Sequence, residues 1–173
     1  MTIDAYQHLG ETGLGEVTAT SDAMQVVFHR HYPHPIEKVW AAITTPERLS
    51  DWLAVAEVDA KPGGTIRLNW NGKYRMQGRV TECEPPNVFA WTWELDGRET
   101  VVRFELEKER DGCHLTLTHS GLSPRDGDGA GVRAGWHAHL EGLPDAIEGR
   151  ATSWETKKAR EDALESRYPD LPK

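Results

Sequence analysis

At 173 residues, with a formal net charge of −8 and a pI near 5.5, the chain fits one domain whose core needs no disulfide or metal staple. The acidic balance argues against nucleic acid or an anionic membrane surface as a partner, because both call for clustered positive charge. Seven tryptophans against three phenylalanines make an unusual core, since each indole needs room and a partner for its N–H.

The N-terminus, MTIDAYQHLGETGLGEVTAT, has no basic start followed by an apolar run, so no secretory leader is expected. No window approaches the roughly 20 apolar residues of a membrane span, and a cytoplasmic location without membrane insertion is the expectation. Residues 1–14 are polar and glycine-bearing and read as a flexible start. GEVTAT, SDA and MQVVFHRHY then read as strand, turn and strand, an N-terminal hairpin. HPIEKVWAAIT follows as a helix with Pro35 at its first position, where a missing N–H costs nothing. Ile36, Val39, Trp40 and Ile43 recur at helical spacing as its buried face. TPERLSDWL restarts a short helix with Thr45 as cap and Pro46 at the first position.

The middle of the chain reads as β throughout. AVAEVDA, TIRLNW, KYRMQGRVTECE, NVFAWTWEL, RETVVRFELEKE and CHLTLTHS are separated by KPGG, Asn71-Gly72, Pro85-Pro86, Asp96-Gly97 and RDG. Asn-Gly and Asp-Gly are preferred two-residue hairpin turns, so the strands form an antiparallel meander. Alternation sorts the faces. Ile66, Leu68, Trp70, Met76, Val80, Phe89, Trp91, Trp93, Val102, Phe104, Leu106, Leu115, Leu117 and His119 share the apolar side. Arg67, Arg75, Gln77, Arg79, Arg103, Glu105, Glu107, Thr116 and Thr118 share the charged one.

SPRDGDGAG reads as a mobile loop beside the mouth of the interior. GVRAGWHAHLEGL begins a helix with Val132, Trp136, Leu140, Leu143 and Ile147 as its inward stripe and a break near Gly142 to Pro144. SWETKKAREDALESRY reads as a charged surface helix anchored by Trp154, Ala159, Ala163, Leu164 and Tyr168. The organisation is therefore 1–14 flexible, 15–150 one domain that includes the hairpin, and 151–173 a charged helical extension.

With P-x-E-x-V-W at residues 35–40, T-x-P-x-x-L-x-x-W at 44–52 and GW opening the last helix of the domain, the chain resembles the activator of heat-shock protein 90 ATPase homologue-like family. That family belongs to the START-like, or SRPBCC (polyketide cyclase and birch-allergen-like), superfamily. The resemblance covers roughly residues 24–150. It implies an α+β helix-grip fold: a curved antiparallel sheet wrapped around a long C-terminal helix, two short helices after the first long strand, and an apolar cavity between sheet and helix.

Candidate chemistry is sparse. His137 and His139 lie two apart, about 200° around a helix, and cannot chelate one metal. His139 borders the inward stripe, and His137 is expected on the solvent side with Glu141. In HRHYPH, His29 and His31 share a strand face and His34 could approach, but Val26, Phe28 and Tyr32 make the opposite face the core. These three read as surface histidines rather than a zinc site. DGDG at 126–129 lacks the later ligands of a calcium loop. Cys83 and Cys113 are too few for a zinc framework and read as buried free thiols. No metal or cofactor is expected.

His119 is the titratable side chain that alternation turns inward. It could serve as acid or base with Tyr74 assisting, or be a core histidine satisfied by backbone, Tyr74 or His139. Trp52, Trp70, Met76, Phe89, Trp91, Trp93, Phe104, Leu117 and His119 from the first part of the chain, with Trp136, His139 and Leu140 from the helix, are the expected ligand-binding set. The leading expectation is a non-enzymatic module binding a small hydrophobic or aromatic molecule. The alternatives are a cyclase- or hydrolase-like enzyme using His119, and a chaperone-interaction module with a chaperone or homodimer contact through the tail helix or a sheet edge.

Overall fold

The computed structural model describes residues 13–20, 22–123 and 128–168. The expected flexible start falls almost wholly on residues 1–12, outside the described residues; residues 124–127 of the loop expected over 123–131 likewise lie outside them, whereas 128–131 belong to a helix instead. Eight strands form one antiparallel sheet: β1 (Glu16–Ala19), β2 (Met24–Tyr32), β3 (Val55–Val58), β4 (Thr65–Trp70), β5 (Tyr74–Glu84), β6 (Val88–Leu95), β7 (Arg98–Glu109) and β8 (Gly112–Leu122). Their spatial order is β1-β2-β8-β7-β6-β5-β4-β3. Consecutive strands from β3 to β8 are neighbours, as hairpin connections require, and β2 closes onto β8 by pairing Phe28 with Leu117 and Tyr32 with Cys113.

The turn residues explain the register. Asn71 and Gly72 have φ of 52° and 72°, and Asp96 and Gly97 have 51° and 76°. A two-residue turn matched to strand twist needs both central residues in this region. Between such turns the strands alternate, and Ile66, Leu68, Val80, Phe89, Trp91, Val102, Phe104, Leu106, Leu115 and Leu117 are almost wholly buried.

Helices α1 (Ile36–Thr44) and α2 (Pro46–Trp52) follow β2. Pro35, expected at the first helical position, stands instead at the cap of α1, one residue before its first helical residue, Ile36. Ile36, Val39 and Ile43 are buried, whereas Trp40 is half-buried and meets Phe89 edge-on at 6.1 Å. Thr45 caps α2 by backbone only. Its hydroxyl donates instead to the Ala41 carbonyl at 2.7 Å, satisfying the end of α1.

The expected long C-terminal helix is broken as Pro144 requires, into α3 (Asp128–Leu140) and α4 (Leu143–Ile147). The tail forms α5 (Trp154–Glu165), whose Ser153 hydroxyl accepts from Thr156 N–H at 3.1 Å. Its buried face differs from the expected stripe. Leu164 and Tyr168 are buried, but Ala159 and Ala163 are exposed, and Lys157 is buried in their place. A lysine stem covers more apolar surface than an alanine methyl, so the longer side chain takes the interface. Of the two thiols, Cys113 is buried and pushed up to about 11 by desolvation, whereas Cys83 is only half-buried.

Candidate functional site

Strand alternation sends Trp70, Trp91 and Trp93 toward the interior, where Trp52 and Trp136 join them from helices, and the helices then divide the five. Trp52 and Trp91 join Phe104 and Phe89 beneath α1 and α2. Trp52 lies edge-on to Phe104 at 6.2 Å, Trp91 stacks on Phe104 at 5.5 Å, and Trp52 Nε1 donates to the Ala42 carbonyl at 2.8 Å. This end of the core is filled. Met76, Leu117 and Leu140 are buried as well; Met76 borders a polar groove with Arg67 and Gln77, and none of these seven side chains reaches the space at the other end.

At the other end, between β4, β6, β8 and α3, a cavity of about 370 Å³ remains. Trp70, Trp93, His119, Trp136, His139 and Tyr74 line it, together with Leu53, Leu95 and Val132. Five of the twelve residues of the expected ligand set thus border the cavity and seven do not. Its volume lies at the lower end of small-molecule sites, which span about 300 to 1,000 Å³.

Part of this space comes from α3 itself. Gly131 and Gly135, four residues apart and so on one helical face, both border the cavity, and a Cβ built on either meets nothing within 4 Å. Glycine inside a helix costs about 0.5–1 kcal/mol relative to alanine. Here it leaves the helix bare where the cavity lies.

Hydrogen bonding fixes the walls. Trp136 Nε1 donates to His119 Nδ1 at 3.0 Å, and His119 Nε2 lies 2.8 Å from Thr100 Oγ1. The Thr100 hydroxyl donates to the Trp93 carbonyl at 2.6 Å, so it can only accept from the imidazole. His119 therefore carries its proton on Nε2, and both ring nitrogens are engaged. Its partners are Trp136 and Thr100 rather than backbone, Tyr74 or His139. The Trp93 ring stacks on His119 at 5.4 Å.

His139 repeats the pattern with the opposite tautomer. Its Nδ1 lies 2.6 Å from the Gly135 carbonyl, which can only accept, and Nε2 accepts from Trp70 Nε1 at 3.2 Å. Burial pushes its pKa down to about 4, with Lys157 adding in the same sense and hydrogen bonding to Gly135 opposing. His139 is neutral at physiological pH. Tyr74, 43% exposed at the rim, accepts from Trp93 Nε1 at 3.1 Å.

His137 overturns the expectation of a solvent-facing histidine. It is buried beside Phe28, with Nδ1 2.8 Å from the Tyr168 hydroxyl. That oxygen also accepts from Gly15 N–H at 2.9 Å, and the Arg133 guanidinium lies 5.1 Å over the Tyr168 ring. Reasoning from one helix placed His137 outside because it left out what the tail could cover. Burial pushes its pKa down to about 4, helped by Arg30 and Arg167.

The tail also supplies two cavity-lining residues that the sequence reading missed, Trp154 and Glu161. They are seven apart, two helical turns, and so share a face of α5. That spacing was the available signal. Leu53 and Leu95, which also line the cavity, and Thr100, hidden as an ordinary strand threonine, were further omissions.

The histidines of HRHYPH part company in the fold. His29 Nδ1 lies 3.1 Å from His114 Nε2, His31 Nδ1 meets Glu109 at 2.7 Å, and His34 is 3.6 Å from Glu148. Among the described residues no group of three or more His, Cys, Asp or Glu side chains is placed to hold a metal ion. No described helix is long and apolar enough to cross a membrane.

Comparison with solved structures places these features in a known fold. CalU16 from Micromonospora echinospora is 25% identical, with 88% of this chain and 95% of that chain covered at a TM-score of 0.68. Protein MLL2253 from Mesorhizobium loti is 27% identical over 72% of this chain and 96% of that one, at 0.67. The BPP1335 protein from Bordetella parapertussis is 29% identical over 90% of each chain, at 0.64. No curated protein sequence matches significantly. Residues 33–148 match the family described as Activator of Hsp90 ATPase homolog 1-like protein. That span takes in the two short helices after β2, the meander, and the helices α3 and α4 laid over its apolar face, and the chain belongs to that family.

Proposed function

We propose that this protein binds a small hydrophobic or aromatic molecule in the cavity between the sheet and α3, as a module without catalytic turnover. The observation that carries this reading is an open, aromatic-walled space beside the packed end of the core, bordered by Trp70, Trp93 and Trp136. Large planar side chains fixed by hydrogen bonds supply a preformed apolar surface at little entropic cost on binding. The histidines favour binding over catalysis. His119 has an indole N–H on Nδ1 and Thr100 on Nε2, so it can take up a proton only by breaking the first of these bonds.

The test is a titration of aromatic hydrocarbons, fatty acids and polyketide-like phenols, followed by tryptophan fluorescence and melting temperature. Saturable quenching with a rise in Tm is expected. The same panel with Gly135→Leu, which fills the open space above the helix face, should give no response while far-UV circular dichroism stays unchanged. A flat response from the unmodified protein across the panel, or a ligand response retained in Gly135→Leu, overturns the reading.

A further inference from the structure

The polar chemistry of the cavity wall is one-sided. Of the four indoles that border it, three have their N–H engaged by the protein: Trp70 with His139, Trp93 with the Tyr74 hydroxyl and Trp136 with His119. Both imidazole protons are engaged as well, on the Gly135 carbonyl and the Thr100 hydroxyl. Most of the donors that would greet a carboxylate, a phosphate or a carbonyl, these three indoles and both imidazoles, are therefore turned into the protein. Indole faces remain, and these are electron-rich.

The charged group among the described lining residues is a carboxylate. Glu161 reaches the cavity from α5, two turns beyond Trp154, with 27% of its side chain exposed. No lysine or arginine is among those lining residues. Lys158 sits 3.9 Å from Glu161 but only 2.9 Å from Asp162, so its charge is spent mainly on the latter. Lys157, buried on the same helix, does not border the cavity; its charge is felt by Asp51 and by His139. Burial pushes the Glu161 carboxyl up, with Lys158 opposing and Asp162 and Glu165 reinforcing. The carboxylate is short of positive partners.

We propose that the cavity selects organic cations: a tertiary or quaternary ammonium on an apolar body, with the cationic head against the indoles of Trp70 and Trp136 and its charge balanced by Glu161. An ammonium needs no acceptor lone pair in its immediate shell when aromatic faces surround it, and desolvated contacts of this kind are the stronger ones. This inference rests on the binding function proposed above and narrows its ligand class.

Three probes of nearly equal shape decide it: phenyltrimethylammonium, neutral tert-butylbenzene and anionic benzenesulfonate, each titrated by tryptophan fluorescence and calorimetry against the full chain. The cation should bind about tenfold tighter than its neutral isostere, a ratio within reach of cation–π contact plus one carboxylate, and the anion weakest. In Glu161→Gln the advantage of the cation over the neutral probe should shrink to about threefold or less, the part left to the aromatic faces. Equal affinities for cation and neutral isostere, or an advantage untouched by Glu161→Gln, overturn this inference and leave hydrophobic binding standing. Absence of binding by all three, with no response in the wider panel, overturns both.

Discussion

The two flanks of α3 are built alike and finished differently. On one, His137 is buried against β2 and engages an aromatic hydroxyl; on the other, His139 faces β4 and engages an indole N–H. Burial pushes both imidazoles down to about 4. On the first flank Tyr168, from the chain's own tail, fills the space and is tied by Gly15 N–H and the Arg133 guanidinium. On the second, two glycines and a ring of indoles leave the space open. The protein can fill a gap beside this helix with an aromatic side chain, and it does so on one side only. The open side is thus a feature the sequence maintains, at the cost of glycine within a helix.

The largest break in this comparison is Trp136→Ala. Trp136 separates the flanks, 4% exposed, edge-on to both Trp93 and Phe104 and hydrogen-bonded to His119. Its removal should cost about 3–5 kcal/mol in urea unfolding, as expected of a large core side chain, and leave His119 Nδ1 unsatisfied. A loss below about 1 kcal/mol, within the range of surface changes, would mean that α3 is not held through this indole.

Acid titrates both flanks together. Above pH 6.5, the ordinary histidine value, His137 and His139 are neutral whether the chain is folded or not, and they leave stability independent of pH. Between 6.5 and about 4 the unfolded chain binds protons that the folded chain refuses, so stability falls as pH falls. Below about 4 the slope levels off. The gap corresponds to roughly 3 kcal/mol for each imidazole at full effect, with His114, lowered by burial, adding in the same sense. Side-chain NMR should find His137 and His139 still neutral at pH 5.5. Titration near 6.5 would sink the buried-neutral account.

Much of this architecture is legible in the sequence, for identifiable reasons. Asn71-Gly72 and Asp96-Gly97 fix hairpins through local backbone conformation, and alternation along β4 to β8 sorts the faces because a strand has only two. The dense end and the open end of the core are not separable that way: Trp91 and Trp93 share a face of one strand, yet one is packed and the other borders the cavity. What separates them is which helix lies above, a tertiary fact. The same limit explains His137, placed outside by the period of α3 and inside by Tyr168 from thirty-one residues further on. Trp154 and Glu161 were missed because a mostly polar helix gives a weak periodic signal, even when two of its residues line a cavity.

Tyr168→Phe tests the filled flank alone. It keeps the ring and removes the hydroxyl, stranding Gly15 N–H and His137 Nδ1, and should cost about 1–3 kcal/mol. Affinity for a cavity ligand should remain unchanged, since Tyr168 does not border the cavity. A loss of ligand affinity comparable to that of Trp136→Ala would show that the flanks are coupled through α3 and that the comparison drawn here is too sharp.

The smallest expected effect is the most telling about charge. Glu141 Oε1 lies 3.5 Å from His137 Nε2, and its other oxygen lies 3.5 Å from Arg160 Nε. The carboxylate can only accept, so the proton of the imidazole sits on Nε2 and faces Glu141, and the Tyr168 O–H, which accepts from Gly15, donates to His137 Nδ1. Were His137 charged, Glu141 would be its counter-ion, and Glu141→Gln would strand a buried cation at several kcal/mol. For a neutral ring the carboxylate is only a weak, half-exposed acceptor, and Glu141→Gln at pH 7.5 should cost less than about 1 kcal/mol. Near pH 4 the loss should grow, because protonation of His137 then makes the pair ionic. A large effect already present at pH 7.5 would place a charge inside the filled flank and remove the likeness to His139 on which the comparison rests.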